Sequence, residues 1–175
     1  TFSSPQGTVA LKGWFGITDN SDTSVLELSR LCVLPILNGT NATSFLLGNS
    51  LKMLKKIGIR AVITLADASR HVGSIYQVCN FKYYGLTSPK SDFYRYDGVK
   101  NPRGSTKNTK GVWVARTRKH RYAYILDKKL TVLYKEEARP SKDDKVPLVC
   151  CGGTGFVKDN RFGDVYKCPI CNKGE

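Results

Sequence analysis

The chain has 175 residues, of which 41% are hydrophobic and 24% are charged, and its net charge is +14. This length suffices for one domain with a hydrophobic core and a short appendage, and the composition excludes a disordered chain. No apolar run approaches the roughly 18 residues of a membrane span, so no membrane partner is expected. The first residue is Thr1 rather than methionine, and further residues upstream of it are expected.

The positive charge is concentrated between residues 87 and 142, which contain 15 lysines and arginines but only 5 acidic residues. This distribution has two interpretations: a site for a polyanion, which gains affinity by releasing counterions from phosphates, or a solvated surface that maintains solubility. Aromatic residues alternate with the charges in "DFYRYDG" and "RKHRYAYI". Because aromatic rings stack on bases, this pattern favours nucleic acid.

The hydrophobic periodicity predicts helices and strands in alternation. In chain order we expect a strand in "GTVALKGWFGI", a strand at 25–34, a helix at 42–56 with Asn41 as its N-cap, a buried strand at 59–66, a helix at 71–79, a strand in "FKYYGL" and a strand or hairpin at 121–134. The glycine, proline and serine content of residues 87–120 predicts loops there. The order of elements predicts an α/β (α+β) fold.

Two polar residues stand out at the strands of this predicted sheet. Arg30 lies on an otherwise apolar strand face, where it needs a carboxylate or phosphate partner because burying an unpaired charge is costly. Asp67 directly follows the buried strand. Ligands bind at the carboxyl ends of parallel strands, so both residues are expected near a binding cleft.

The six cysteines fall into two groups. Cys32 and Cys79 lie in apolar segments and are predicted to be buried thiols. The other four form a small Cys-rich C-terminal tail, and the spacing of "CPIC" suits tetrahedral zinc. The tail is therefore interpreted as a zinc knuckle, with reduced thiols or a disulfide as alternatives; its expected ligands are Cys150, Cys151, Cys168 and Cys171.

Four segments together carry a family resemblance: "VLELSRLCVL", "NATSFLLGNSLKMLKK", "ITLADASRHVGSIYQVCNFKYYGL" and "RKHRYAYI". In this order and at these spacings, they resemble the phage Mom-type DNA-modification proteins, a divergent branch of the GCN5-related N-acetyltransferase (GNAT) superfamily. The resemblance spans residues 25–126. It implies a GNAT-like fold, which is a mixed twisted sheet flanked by helices. It also implies a phage enzyme that attaches a group to the exocyclic amine of adenine, a carbamoylmethyl group in the Mom proteins themselves.

The resemblance also implies an acyl-CoA-like donor, whose identity stays open. The usual acetyl-CoA pyrophosphate signature would lie between strand and helix, where this chain has "PILNGTNATSF", and Mom-type proteins share this departure. The expected donor-binding residues are Asn41, Thr43, Ser44 and Ser74.

Transfer to an amine requires removal of a proton, stabilisation of developing charge and protonation of the leaving group. Asp67 is the candidate base, and His71 is a proton relay or phosphate ligand. Tyr76, which matches the GNAT tyrosine that protonates a departing thiolate, is the candidate acid or a ring that orients the base.

Arg30 is expected to hold Asp67 or an anionic cofactor group, and Ser44 to bind an anion at a helix N-terminus. Each residue also has a structural interpretation. Asp67 fits an N-cap, His71 a surface or capping residue, Tyr76 a core residue, Ser44 a helix terminus and Arg30 an ion pair with Glu27 or Asp67.

These features predict a transferase domain at 1–136 with a basic segment at 87–121 that contacts nucleic acid, a linker at 137–147 and the zinc knuckle at 148–175. The expected partner is double-stranded or locally single-stranded DNA in the host cytoplasm. The sequence does not determine the oligomeric state, for which a homodimer is considered. Two other functions fit the sequence: acylation of a host defence protein, or non-catalytic binding of nucleic acid. The expected phosphate contacts are Arg103, Arg116, Arg118, Lys119, His120 and Arg121.

Overall fold

The computed structural model describes residues 1–5, 8–19, 21–102 and 109–141, with two further strands at 156–158 and 165–167. The chain divides into two compact units. Unit 1 comprises Thr1–Leu86 and Lys119–Asp144, and unit 2 comprises Thr87–Arg118 and Lys145–Glu175. The domain boundaries expected from the sequence stay a prediction, because most of the last segment lies outside the described residues.

The elements follow one another along the chain as helices and strands of varied length. They are β1 Phe2–Ser3, α1 Thr8–Phe15, β2 Val25–Leu28, α2 Ala42–Lys56, β3 Ala61–Asp67, α3 Ser74–Val78, β4 Lys82–Leu86, β5 Ser91–Arg95, β6 Gly111–Ala115, β7 Lys119–Ile125, β8 Phe156–Lys158 and β9 Val165–Lys167. Among the described residues, no helix is long and apolar enough to cross a membrane.

Unit 1 is built on a five-stranded sheet with the order β1-β2-β3-β7-β4. β2 runs parallel to β3, whereas β7 is antiparallel to both of its neighbours, β3 and β4. The predicted mixed α+β architecture is therefore confirmed. β3 is buried along most of its length, as expected for a central strand.

The core of unit 1 lies on both faces of this sheet. On one face, Leu11, Trp14 and Phe15 of α1 pack against β2, β3 and β7. On the other face, Leu47 and Leu51 of α2 pack with α3 and an aromatic group from β4 and β7. Each sheet face therefore has its own helical cover.

Three sequence predictions of secondary structure were wrong. The first segment forms helix α1 rather than a strand, because its large apolar residues recur at helical spacing and bury one face. β2 ends at Leu28 instead of continuing to residue 34. The segment predicted to be loops contains β5 and β6, which pair over five residues each.

Helix α2 has the predicted bounds, but its apolar stripe is only half buried. Leu47 and Leu51 are 1% and 4% exposed, whereas Phe45 and Met53 are 70% and 68% exposed. The apolar residues predicted to pack extend around more of the helix surface than the sheet covers. The expectation that the whole stripe packs is therefore wrong.

In unit 2, the four strands have the order β5-β6-β8-β9. β5 and β6 are antiparallel, and residue Phe93 lies directly opposite Trp113. β6 and β8 pair in parallel through Val114 and Phe156.

Candidate functional site at the carboxyl edge of the unit 1 sheet

One edge of the unit 1 sheet collects the strand ends that carry polar side chains. The strand directions place the carboxyl ends of β2, β3 and β4 at this edge with the amino end of β7. Asp67 lies opposite Lys119 in the register, and Ala66 lies opposite His120. The edge therefore brings together residues that are more than fifty positions apart in the chain.

Asp67 shapes the turn that leaves β3. Its Oδ1 accepts hydrogen bonds from the backbone N–H of Ser69 at 3.1 Å and from the Ser69 hydroxyl at 2.8 Å. Its carbonyl oxygen accepts the N–H groups of Arg70 and His71. α3 begins only at Ser74, with Gly73 at the N-cap position, so Asp67 is not the N-cap of that helix. The carboxylate is held in a fixed orientation at the end of a buried strand.

His71 is exposed and has a defined tautomer in its neutral form. Its Nδ1 accepts the backbone N–H of Gly73 at 3.1 Å. Nδ1 therefore carries no proton, and the neutral ring carries its proton on Nε2. In this arrangement His71 offers an N–H donor outward, which suits an anionic oxygen better than it suits proton abstraction.

The turn from Asp67 to Gly73 is fixed to the sheet by aromatic side chains. The Tyr122 hydroxyl donates to the carbonyl of Val72 and accepts from Nε2 of Gln77 at 3.0 Å. Burial raises the pKa of Tyr122, which keeps the phenol protonated as a donor. A Cβ atom on Gly73 would lie 2.8 Å from the Tyr122 ring, so this close approach requires glycine.

Tyr76 lies in this aromatic group rather than at the surface. It is 8% exposed, and its ring centroid is 5.6 Å from that of Tyr122 and 5.7 Å from that of Phe81. This position matches the core interpretation of Tyr76.

A second polar pair at this edge was missed by the sequence analysis. Nδ1 of His120 lies 2.9 Å from the hydroxyl of Tyr83, and the two side chains are 2% and 6% exposed. The phosphate contact predicted for His120 is wrong for a side chain this deeply buried. Linked imidazole and phenol groups can instead exchange a proton. The sequence offered one signal: "KYYG" and "KHRY" both read as strands, and each carries a polar aromatic or histidine side chain as its second residue. These two segments lie on neighbouring strands.

Arg30 does not occupy the predicted buried strand face. β2 ends two residues earlier, and Arg30 is exposed. Its carbonyl oxygen accepts from the amino terminus of Thr1 at 2.6 Å. The expectation that burial forces a charged partner on Arg30 is therefore wrong, although its place after β2 keeps it near the same sheet edge.

The expected donor-binding residues lie at two helix starts. At α2, the hydroxyl of Thr40 accepts the N–H of Ala42, while the Asn41 side chain makes no capping hydrogen bond. The Ser44 hydroxyl donates to the Asn41 carbonyl at 2.9 Å, as the helix-terminus interpretation requires. Thr43 lies in the first turn of α2, and Ser74 is the first residue of α3.

The basic cluster predicted around residues 116–121 is divided between the two units. Arg116 and Arg118 belong to unit 2, where Arg118 Nε donates to the Thr87 carbonyl at 2.7 Å. In unit 1, Arg121 lies over the ring of Tyr134 at 4.0 Å and donates to the Leu86 carbonyl. Arg121 is therefore engaged in packing, and Arg103 lies outside the described residues.

The cysteine predictions have separate outcomes. Cys150, Cys151, Cys168 and Cys171, and with them the proposed zinc knuckle, lie outside the described residues. Within the described part of the chain, no group of histidine, cysteine and acidic side chains could hold a metal ion. Cys32 is exposed rather than buried, and burial raises the pKa of the partly buried Cys79 thiol.

The fold and this edge define a mixed α+β domain in which a turn-forming aspartate, an exposed histidine and a buried Tyr–His pair lie at the carboxyl ends of the strands. The chain belongs to the Mom protein family, whose family model matches residues 6–142. A search of the curated proteins finds no match at the threshold applied. Family membership connects the chain with bacteriophage DNA modification and makes DNA its substrate.

Proposed function

We propose that the chain transfers a small group to the exocyclic amine of adenine in bacteriophage DNA and thereby protects that DNA from host restriction. The family match supports the substrate, and the observation that carries the chemistry is the position of Asp67. Its carboxylate lies at the carboxyl end of a buried strand, where ligands commonly bind in sheets of this kind, and is oriented by Ser69.

Asp67 acts as the base in this proposal. The adenine amine attacks the carbonyl carbon of the donor, its proton passes to the Asp67 carboxylate, and the bond from that carbon to the leaving sulfur breaks. The products are a modified adenine and a thiol, which takes up one proton. Because the lone pair of the adenine amine is delocalised into the ring, proton removal and positioning carry most of the catalysis.

His71 and Tyr76 have supporting roles. The Nε2–H group of His71 faces outward and can donate to a developing oxyanion or to a donor phosphate. Tyr76 positions the turn, because its ring packs beside Gly73, where a Cβ atom would lie 3.0 Å from Tyr76 Cδ2. Tyr76 is thus a positioning residue rather than the acid.

The donor in this proposal is acyl-CoA-like. The first turn of α2, at Thr43 and Ser44, offers backbone N–H groups and the positive end of the helix dipole to its phosphates. The group transferred in this step is an acyl group, because attack at a carbonyl carbon forms an amide; the carbamoylmethyl group of the family is joined through its CH2 carbon and would require displacement of a leaving group at that carbon instead. The target base must leave the DNA stack, or come from single-stranded DNA, to reach the edge.

The test is to digest DNA from cells that express the chain and to search the nucleosides for adenosine of increased mass. Asp67→Asn keeps an oxygen acceptor for Ser69 but removes the charge, so the modified nucleoside should fall at least about 100-fold. Asp19→Asn is a matched control, because Asp19 Oδ1 accepts from the N–H and hydroxyl of Ser21 in the same way.

Three results would separate the alternatives. If the DNA of expressing cells is unmodified and a host protein from the same cells is modified, the substrate is that protein. If the chain binds DNA and modifies neither, and Asp67→Asn equals the parent, the chain is a non-catalytic binding protein. If Asp19→Asn lowers modification as much as Asp67→Asn, the loss reflects turn stability and Asp67 is not the base.

A further inference from the structure

Within unit 2, a tryptophan is held in a half-exposed position on a sheet. Trp113 of β6 is 48% exposed, whereas Phe93, directly opposite on β5, is 9% exposed. Their ring centroids are 5.3 Å apart with an interplanar angle of 64°. Phe93 therefore contacts Trp113 edge to face and fixes the orientation of the indole.

The neighbours of Trp113 leave its ring open. Side chains at alternate positions share one face of a strand, so Trp113 is flanked on β6 by Gly111 and Ala115. A Cβ atom at Gly111 would lie 2.8 Å from Phe93 Cζ, which shows that the Phe93 ring occupies the space above that glycine. Because the residues on both sides of Trp113 along β6 are small, the indole ring projects beyond them and one of its faces is open.

The opposite face of the same two strands provides the packing. Val114 is 1% exposed, and Tyr94 is buried as well. The Asp92 carboxylate on that face binds Lys100 at 2.7 Å and Arg116 at 3.2 Å. Val114 and Tyr94 are therefore buried on one face of the hairpin, while Trp113 lies on the other face beside the buried Phe93.

The charge of this region fits a polyanion. The described stretches 87–102 and 109–118 contain six lysines and arginines but only two aspartates. Both aspartates are ion-paired, Asp92 as described and Asp97 with Arg95. The described part of this surface thus combines an open aromatic ring with a net charge of +4, the combination that binds single-stranded nucleic acid.

We propose that Trp113, oriented by Phe93, is a stacking platform for an unpaired base of single-stranded DNA. In duplex DNA the base faces are covered by neighbouring pairs, so a ring of this kind distinguishes unpaired from paired strands. The inference rests on the proposed function in taking DNA as the substrate, and it defines the class of DNA that unit 2 binds.

The test uses the full chain and its own fluorescence. The chain has two tryptophans, and Trp14 is 4% exposed, so quenching by an added oligonucleotide reports on Trp113. A single-stranded oligonucleotide should quench the parent protein, and Trp113→Phe should abolish that quenching while retaining most binding. Anisotropy of the labelled oligonucleotide measures the affinity independently.

Trp113→Ala should weaken binding of the single strand by about 10- to 100-fold and binding of a duplex of equal length less than about threefold, since one stacked base contributes roughly 1–3 kcal/mol. Met53→Ala, which removes another exposed apolar side chain, should change neither affinity. Circular dichroism checks that each variant is folded.

The proposal is overturned if the parent is not quenched by the single strand, if Trp113→Ala binds it within twofold of the parent, or if both DNA forms lose affinity equally. The parent quenching measurement decides the matter even where Trp113→Ala does not fold. Quenching without any adenine modification would refute the proposed function and leave the stacking platform standing, and modification without quenching would do the reverse.

Discussion

The hydroxyl of Tyr83 and Nδ1 of His120 lie 2.9 Å apart on two adjacent strands, and both side chains are almost completely buried. Their backbones approach across β4 and β7, where Gly85 forms an irregularity between Tyr83 and Leu86. A buried hydrogen bond of this kind stabilises the fold mainly because leaving one partner unsatisfied is costly.

Tyr83→Phe should therefore destabilise unit 1 by about 1–2 kcal/mol, because the His120 nitrogen loses its partner inside the core. Denaturant unfolding followed by far-ultraviolet circular dichroism measures the change. Tyr96→Phe is the control, since Tyr96 is 75% exposed and its hydroxyl faces water. An equal effect of the two substitutions would show that the buried pair adds no stability.

Gly73→Ala should destabilise the protein more than Gly39→Ala. Both glycines have positive φ, +75° and +83°, so alanine is strained at either position by about 1 kcal/mol. Only Gly73 packs against Tyr122 and Tyr76, whereas a Cβ atom on Gly39 would meet nothing within 4 Å. The added steric cost at Gly73 should amount to about 1–3 kcal/mol.

Thermal melting of the two alanine variants tests this difference. Both variants should be destabilised by the positive φ angle at the substituted position. Only Gly73→Ala should also reduce adenine modification, because the turn that begins at Asp67 can then no longer pack against the aromatic side chains of the sheet. Equal melting temperatures would contradict the packing of Gly73 against the aromatic rings.

Stability should fall at alkaline pH through Tyr122. Burial raises the pKa of Tyr122 above its ordinary value, so the folded state favours the protonated phenol. The resulting stabilisation is complete below about pH 10, the pKa in the unfolded chain, and is lost as pH rises through the higher folded-state pKa.

This direction of the pH dependence is tested by measuring the free energy of unfolding of the parent and of Tyr122→Phe between pH 8 and 11. The variant should be less stable at pH 8 and should lose less stability above pH 10. Some alkaline loss should remain, because burial raises the pKa of Tyr84 in the same direction. A parallel decline in both proteins would exclude Tyr122 as the source.

Lys119 and Arg121 should respond differently to neutral substitution. Arg121→Gln should destabilise unit 1 by about 1 kcal/mol, because it removes a cation from the face of Tyr134 and a hydrogen bond to Leu86. Lys119→Gln should instead weaken DNA binding and reduce the magnitude of the slope of log affinity against log salt by about 1.

Lys128→Gln provides the control for charge alone, since Lys128 is an exposed lysine of the same unit. Binding titrations at several salt concentrations separate the variants. If Lys128→Gln reduces the slope as much as Lys119→Gln, the effect is a general one of net charge and not a contact at the sheet edge.

The sequence correctly predicted those helices and strands in which the hydrophobic residues recur at a single spacing that matches the buried face. The bounds of α2 and the buried character of β3 came directly from sequence. The position of Asp67 at the carboxyl end of the buried strand was also predicted from the sequence. In each of these segments the hydrophobic residues and the tertiary packing agree.

The wrong predictions arose where a segment fits both helical and strand spacing of its hydrophobic residues. Contacts were missed where they join residues that are distant in sequence. Helix α1 contains one glycine, which is unfavourable in a helix, and two β-branched residues, which are typical of strands. The spacing of Leu11, Trp14 and Phe15 was the signal that favours a helix. The contact of Tyr83 with His120 joins residues 37 positions apart, and no local pattern records it.

The neighbouring strands β4 and β7 have a further consequence for how such a protein diversifies. Leu86 and His120 are paired across them, so the chain departs from the sheet and returns to it at one place. Residues 87–118, which form unit 2 together with Lys145–Glu175, are therefore inserted between adjacent strands of an otherwise continuous sheet. Their length and composition can vary during evolution without changing the register that holds Asp67. If Trp113 and Asp67 act as proposed, preference for a DNA target and the chemistry performed on it can evolve separately.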